Sequence, residues 1–231
     1  MPYISREEFL KRQKERQERA ASFQNQGPRV SYFSLKNDGD EAVVRFAYSS
    51  PDELYTDIFP THQTTIDGKF RRVKCLRESY NSPISDCPMC AAGVPVNERF
   101  YIKLIEYTRN DSGEIEITPK IWERPTSYVS TLNGFFDEYG DISEMVFKVK
   151  RSGEKGSLQT TYSVLPANQK IYNESLYPAD FSAFNDYQIV GGALTSKTPE
   201  EMEELLGNSK PEEKDDPVPT IKQTAPRRVT Y

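Results

Sequence analysis

Residues 99–107 read RFYIKLIEY and residues 114–124 read EIEITPKIWER. Both segments alternate. In the first, Arg99, Tyr101, Lys103, Ile105 and Tyr107 fall on one side while Phe100, Ile102 and Leu104 fall on the other, the period of an extended strand. In the second, Lys120, Trp122 and Arg124 oppose Ile115, Ile117 and Ile121. Three further segments carry the same texture between turn residues: 41–48 (EAVVRFAY), 144–151 (EMVFKVKR) and 159–165 (QTTYSVL). One stretch differs. From Thr126 to Tyr139 the apolar residues Val129, Leu132, Phe136 and Tyr139 recur at helical spacing, and Gly140 stands where a helix ends. Five strands interrupted by a helix predict a mainly β protein closed into a small barrel. A few short helices accompany it, including one over 177–187 that packs Phe181 and Phe184.

The flanks of this core read differently. Ser5 followed by Glu8 is a capping-box pattern, and residues 1–30 carry a net charge of +3 with few apolar side chains, which predicts a charged helical arm. Residues 31–198 form the core, at −5. Residues 199–216 carry −6 and residues 217–231 carry +3, with prolines at 211, 217, 219 and 226. That composition predicts an acidic, Pro-rich, disordered tail over 199–231. The mean hydropathy of −0.72 fits a chain with solvated ends. No apolar run approaches the roughly 20 residues that span a bilayer, and the N-terminal charges leave no room for a secretory h-region. A cytoplasmic protein without membrane contact is expected.

The soft ligands are concentrated. His62, Cys75, Cys87 and Cys90 are the only histidine and cysteines of the chain, and they fall within one subdomain, about 60–92. The Cys-x2-Cys knuckle lets two thiolates face one tetrahedral ion, and Cys3His is a structural zinc set. One structural Zn2+ is therefore expected, as against an idle cysteine set beside a surface histidine. No histidine remains to serve as a general base, and no phosphate-binding glycine loop or Ser-His set occurs. The chain reads as a non-enzyme with no catalytic residue.

Cations interleave with aromatics along the two leading strands: Arg99, Tyr101, Lys103 and Tyr107 on the first, Lys120, Trp122 and Arg124 on the second. Residues 69–77 (KFRRVKCLR) contain Lys69, Arg71, Arg72 and Lys74 around the ligand Cys75, and Lys148, Lys150 and Arg151 form another cluster. A groove for single-stranded nucleic acid needs such a mixture, because cations follow phosphates while rings stack on bases. The sequence pI near 5.2 places that reading on local clustering alone. The competing reading is a zinc-stabilised protein-interaction or regulatory module that binds no nucleic acid. A metal-dependent nuclease would need a tight carboxylate constellation, and none stands out.

The order His-x12-Cys-x11-Cys-x2-Cys resembles the zinc knuckle of the helix-destabilising, single-stranded DNA-binding proteins of the T-even phages and their relatives. The stretch Glu144 to Pro166 (EMVFKVKRSGEKGSLQTTYSVLP) is similar to a strand, Arg-x-Gly turn and Thr-x-Tyr strand in phage proteins of this type. The resemblance implies an OB-fold barrel with an inserted zinc-binding subdomain. It implies a protein that coats single strands in phage DNA replication, recombination and repair, within the infected host cell. A basic N-terminal arm for self-association along DNA and an acidic C-terminal tail that meets replication and recombination proteins complete the family pattern. Two features depart from it: the arm lacks a Lys-Arg-Lys-Ser-Thr type motif, and the acidic stretch is followed by RRVTY at 227–231.

Overall fold

The computed structural model describes residues 11, 13, 14, 30–66, 68–79, 81–157 and 159–208. Of the expected N-terminal arm, residues 11, 13 and 14 are helical, and the rest up to residue 29 lies outside the described residues. The protein is mainly β, an open mixed sheet with a few short helices. Strand β5 (Val96–Arg109) is its spine. It pairs antiparallel with β6 (Ile115–Pro125) along its length from Arg99↔Pro125 to Arg109↔Ile115. Its second half also pairs with β2 (Glu41–Phe46) and its first half with β3 (Ile58–Ile66). Strand β1 (Ser31–Tyr32) lies parallel to β6, while β7 (Phe147–Ser152) joins β2 to β8 (Thr161–Pro166), giving the order β1-β6-β5-β2-β7-β8.

All five strands expected from alternation are present, and so is the helix, α3 (Ser127–Tyr139). A shorter helix, α1 (Pro51–Thr56), precedes β3. The antiparallel hairpin of β3 with β4 (Lys69–Lys74) was not marked by alternation, because IFPTHQTTI mixes Pro60 with polar residues. Among the described residues no ladder joins β8 to β6, so the sheet stays open there. Side chains bridge that gap: the Trp122 ring lies 5.6 Å from Tyr162, and the Arg124 guanidinium sits 3.9 Å over Tyr162.

Apolar side chains cover both faces of the sheet. On one face Val44, Phe46, Phe100, Ile102, Leu104, Trp122, Phe147 and Val149 pack against Val129, Leu132 and Phe136 of α3. Each such fully buried side chain contributes about 1.5–3 kcal/mol relative to exposure. On the other face the segment 167–194 crosses the strands. Ala167 and Tyr177 pack on Ile105 and Tyr107, and Ile189 and Leu194 pack on Tyr101 and Ile121. Arg45, 1% exposed, ties this segment down: it donates to Tyr177 O at 2.7 Å and Ser143 O at 3.2 Å and pairs with Glu174 at 2.9 Å. The expected helix within 177–187 is a single 3-10 turn, Ser182–Phe184, with Phe181 and Phe184 half-buried against the sheet.

The expected tail begins too early. Residues Pro199–Asn208 form helix α4, whose Met202 is fully buried. Thr198 and Glu201 make a reciprocal capping box, with Glu201 N donating to Thr198 Oγ1 at 3.3 Å and Thr198 N donating to Glu201 Oε2 at 2.9 Å. Thr-Pro-Glu-Glu at 198–201 is thus a helix start that the acidic composition obscured. Residues 209–231 lie outside the described residues.

Candidate functional site

Three local structures bring the four soft ligands together. His62 lies on β3, Cys75 follows β4, and Cys87 caps the short helix α2 (Pro88–Ala91), which contains Cys90. His62 Nε2 is 3.4 Å from Cys87 Sγ and 3.5 Å from Cys90 Sγ, and Cys75 Sγ is 3.6 Å from Cys90 Sγ. All four ligand atoms lie within 4.8 Å of one another, so the set could hold a metal ion. A tetrahedral zinc with bonds of about 2.3 Å to sulfur and 2.0–2.1 Å to nitrogen needs edges of about 3.5–3.8 Å, close to the three short separations.

The surroundings prepare the ligands. His62 Nδ1 is 3.2 Å from both Val94 O and Pro95 O, so Nδ1–H donates to the carbonyls and Nε2 keeps its lone pair toward the sulfurs. Burial lowers the imidazole pKa despite those carbonyls, favouring the neutral ligand form. Burial pushes the Cys75 thiol up to about 12. At Cys87 burial also acts upward, but the backbone amides of Leu76, Cys90 and Met89 outweigh it and draw the thiol below its ordinary value. Around the ligands Val73, Met89 and Met202 form a small apolar core, against which the half-buried Leu205 and Leu206 of α4 pack.

The basic and aromatic residues are arranged differently from the expectation. Opposed residues of antiparallel strands share a face, and the register pairs Lys103 with Ile121 and Ile102 with Trp122. Arg99, Tyr101, Lys103 and Tyr107 therefore lie on the face opposite Lys120, Trp122 and Arg124. The two strands present no common basic and aromatic surface. Trp122 is 1% exposed among Phe33, Tyr128 and Tyr162, Tyr101 is fully buried, and Tyr107 is buried under Tyr177. None of these three rings is open to a base, because the segment 167–194 and α3 occupy the faces that alternation left free.

Most of the nominated cations already have partners. Lys103 Nζ pairs with the buried Asp57 at 3.1 Å, Lys120 with Glu106 at 3.7 Å and Lys148 with Glu41 at 2.8 Å. Arg72 and Arg99 share Glu123. Arg151 is buried, donating to Tyr162 Oη at 3.0 Å, and Arg124 stacks on Tyr162 and Trp122. Among the described residues Lys69, Arg71, Lys74 and Lys150 carry no ion pair, and Lys69, Arg71 and Lys150 are exposed.

A groove of about 550 Å3 opens where the β3–β4 hairpin faces β1, with Tyr32, Phe70, Arg71, Arg72 and Glu123 among its lining residues. Phe70 is 77% exposed and Tyr32 is 51% exposed. Tyr32 Oη donates to Ala193 O, which fixes the ring at the rim. Sequence reasoning missed both rings, although Phe70 stands between cations in KFRRVK. Among the described residues no helix is long and apolar enough to cross a membrane. Set against known proteins, the chain matches no protein-family model and no curated protein.

Proposed function

We propose that this chain is a sequence-tolerant single-stranded DNA-binding protein, not an enzyme, that binds its strand along the groove between β1 and the β3–β4 hairpin. One observation carries the reading: Phe70 and Tyr32 stand exposed beside Arg71 and Arg72 in a groove of about 550 Å3. Stacked bases contribute about 1–3 kcal/mol each on such rings, and guanidinium groups hold the phosphates. The strand order supports it. The path β6-β5-β2-β7-β8, with α3 between β6 and β7, is compatible with an OB-fold in which the Trp122, Arg124 and Tyr162 contacts would take the place of a closing ladder. A structural zinc on His62, Cys75, Cys87 and Cys90 would stiffen the hairpin that carries Phe70 and the arginines. The role would be to coat exposed strands during phage replication, recombination and repair in the host cytoplasm, with partner proteins met through the C-terminal region and self-association along the strand.

Titration of a fluorescently labelled oligo-dT against a duplex of equal length, at low salt, tests the reading. Saturable binding of oligo-dT that weakens with salt supports it. The number of cations already paired with carboxylates favours the second reading, a zinc-stabilised protein-interaction module. Absence of binding to oligo-dT at low salt would leave that second reading standing.

A further inference from the structure

Glu123 lies on β6 opposite Tyr101, at the floor of the groove. Its Oε1 accepts from Arg72 Nε at 2.5 Å and from Arg99 Nε at 2.9 Å, so a single carboxylate oxygen serves two arginines from different strands. The three side chains remain 20–24% exposed. Among the described residues the terminal nitrogens of Arg72 and Arg99 make no hydrogen bond. Arg72 lines the groove with its outer edge unclaimed, while the inner Nε–H groups of both arginines are held on one anion.

Resting on the single-strand reading, we infer that Glu123 is the internal counter-anion of the phosphate site, holding Arg72 where a backbone phosphate would sit, with Arg99 as its second partner, and limiting the affinity. An acidic side chain between a phosphate-binding arginine and a second one serves two ends. It keeps the guanidinium groups aligned and apart from mutual repulsion, and it opposes the arriving phosphate, so that bound strand is released again. The pattern explains why a groove lined by Arg71 and Arg72 also contains a carboxylate.

Glu123→Gln keeps the length and an acceptor oxygen for both Nε–H groups while deleting the charge. The variant should bind oligo-dT with a salt slope steeper by about 0.7, which corresponds to about eightfold tighter binding near 50 mM salt, the gain vanishing toward 1 M. Glu116→Gln, an exposed position farther along the same strand, makes the same change in net charge and should shift binding much less. Metal content and melting temperature report folding, and Glu123→Met, equally long and uncharged, repeats the measurement if the Gln variant unfolds. Binding unchanged or weaker in Glu123→Gln, or equal shifts in the two Gln variants, overturns the inference while leaving the function intact. Failure of the wild-type protein to bind oligo-dT at all removes the single-strand reading, and the inference with it.

Discussion

The Met202 sulfur lies 3.9 Å from the Cys87 sulfur, so a residue of α4 forms part of the wall around the candidate metal centre. Half of the acidic residues in 199–216 belong to this helix, as Glu200, Glu201, Glu203 and Glu204. The acidic segment is thus in large part a structural element with Met202 inside and carboxylates outside.

Truncation after Thr198 should therefore damage the metal centre, whereas truncation after Asn208 should leave it intact. Met202→Ala, at a fully buried position, should cost about 2–5 kcal/mol of stability and speed metal loss to a chelator. Chelator kinetics on the three variants and the full chain check this. Equal rates for the Thr198 truncation and the full chain would show that α4 does not protect the centre.

Purified under reducing conditions, the protein should hold one zinc per chain, and Cys90→Ala should lose it together with much of the thermal stability. Retention should depend on pH with a definite sign. In the metal-free chain burial keeps the Cys75 thiol protonated up to about 12, so binding must displace a proton and affinity falls as pH falls. A competition titration with a chromogenic chelator between about pH 6 and 8 reads this directly. An affinity that stays flat across that window would contradict thiolate ligation.

Strands β2, β5, β6, β7 and β8 and helix α3 were legible because alternation and helical spacing report the local backbone. The four ligands were legible because they are rare and close in sequence. The faces were not. Alternation separates Tyr101 from Ile102 but does not say which side remains open, and here segment 167–194 buries one side while α3 buries the other. Nor does it give register: the pairing of Lys103 with Ile121, set by the Asn110 to Glu114 turn between the strands, places the two basic runs back to back. The pairs Lys103–Asp57 and Arg72–Glu123 join residues far apart in sequence, and such neutralisation is invisible to any local count of charge.

Trp122 should behave as a core residue. Trp122→Ala, at 1% exposure, should cost about 3–5 kcal/mol, and its emission in the native protein should be blue-shifted and little changed by oligo-dT. Removing the ring also removes the platform for Arg124, 4.6 Å from its centroid, and the bridge from β6 to β8. Denaturant melts and fluorescence titrations check both parts. Strong quenching on addition of oligo-dT, with stability unaltered in the Ala variant, would return Trp122 to the binding surface.

Phe70 and Arg71 adjoin on β4 but should act through different physics, which a salt series separates. Phe70 is 77% exposed, so Phe70→Ala removes almost no packing and should leave the melting temperature within error of the wild type. If a base stacks on the ring, affinity should fall by about 1–3 kcal/mol, with the slope of log affinity against log salt unchanged, because stacking releases no counterions. Arg71 is exposed and carries no ion pair among the described residues, so its full charge is available to a phosphate. Arg71→Gln should reduce the slope by about 0.7, the value for one contact on a single strand, and its penalty should shrink as salt rises. The register strengthens the contrast, since Phe70 lies across from Thr65 and Arg71 across from Thr64, on opposite faces of the hairpin. Oligo-dT titrations of the two variants at four salt concentrations decide the matter: equal slope changes would refute the division of roles, and wild-type affinity in Phe70→Ala would remove the ring from the binding site.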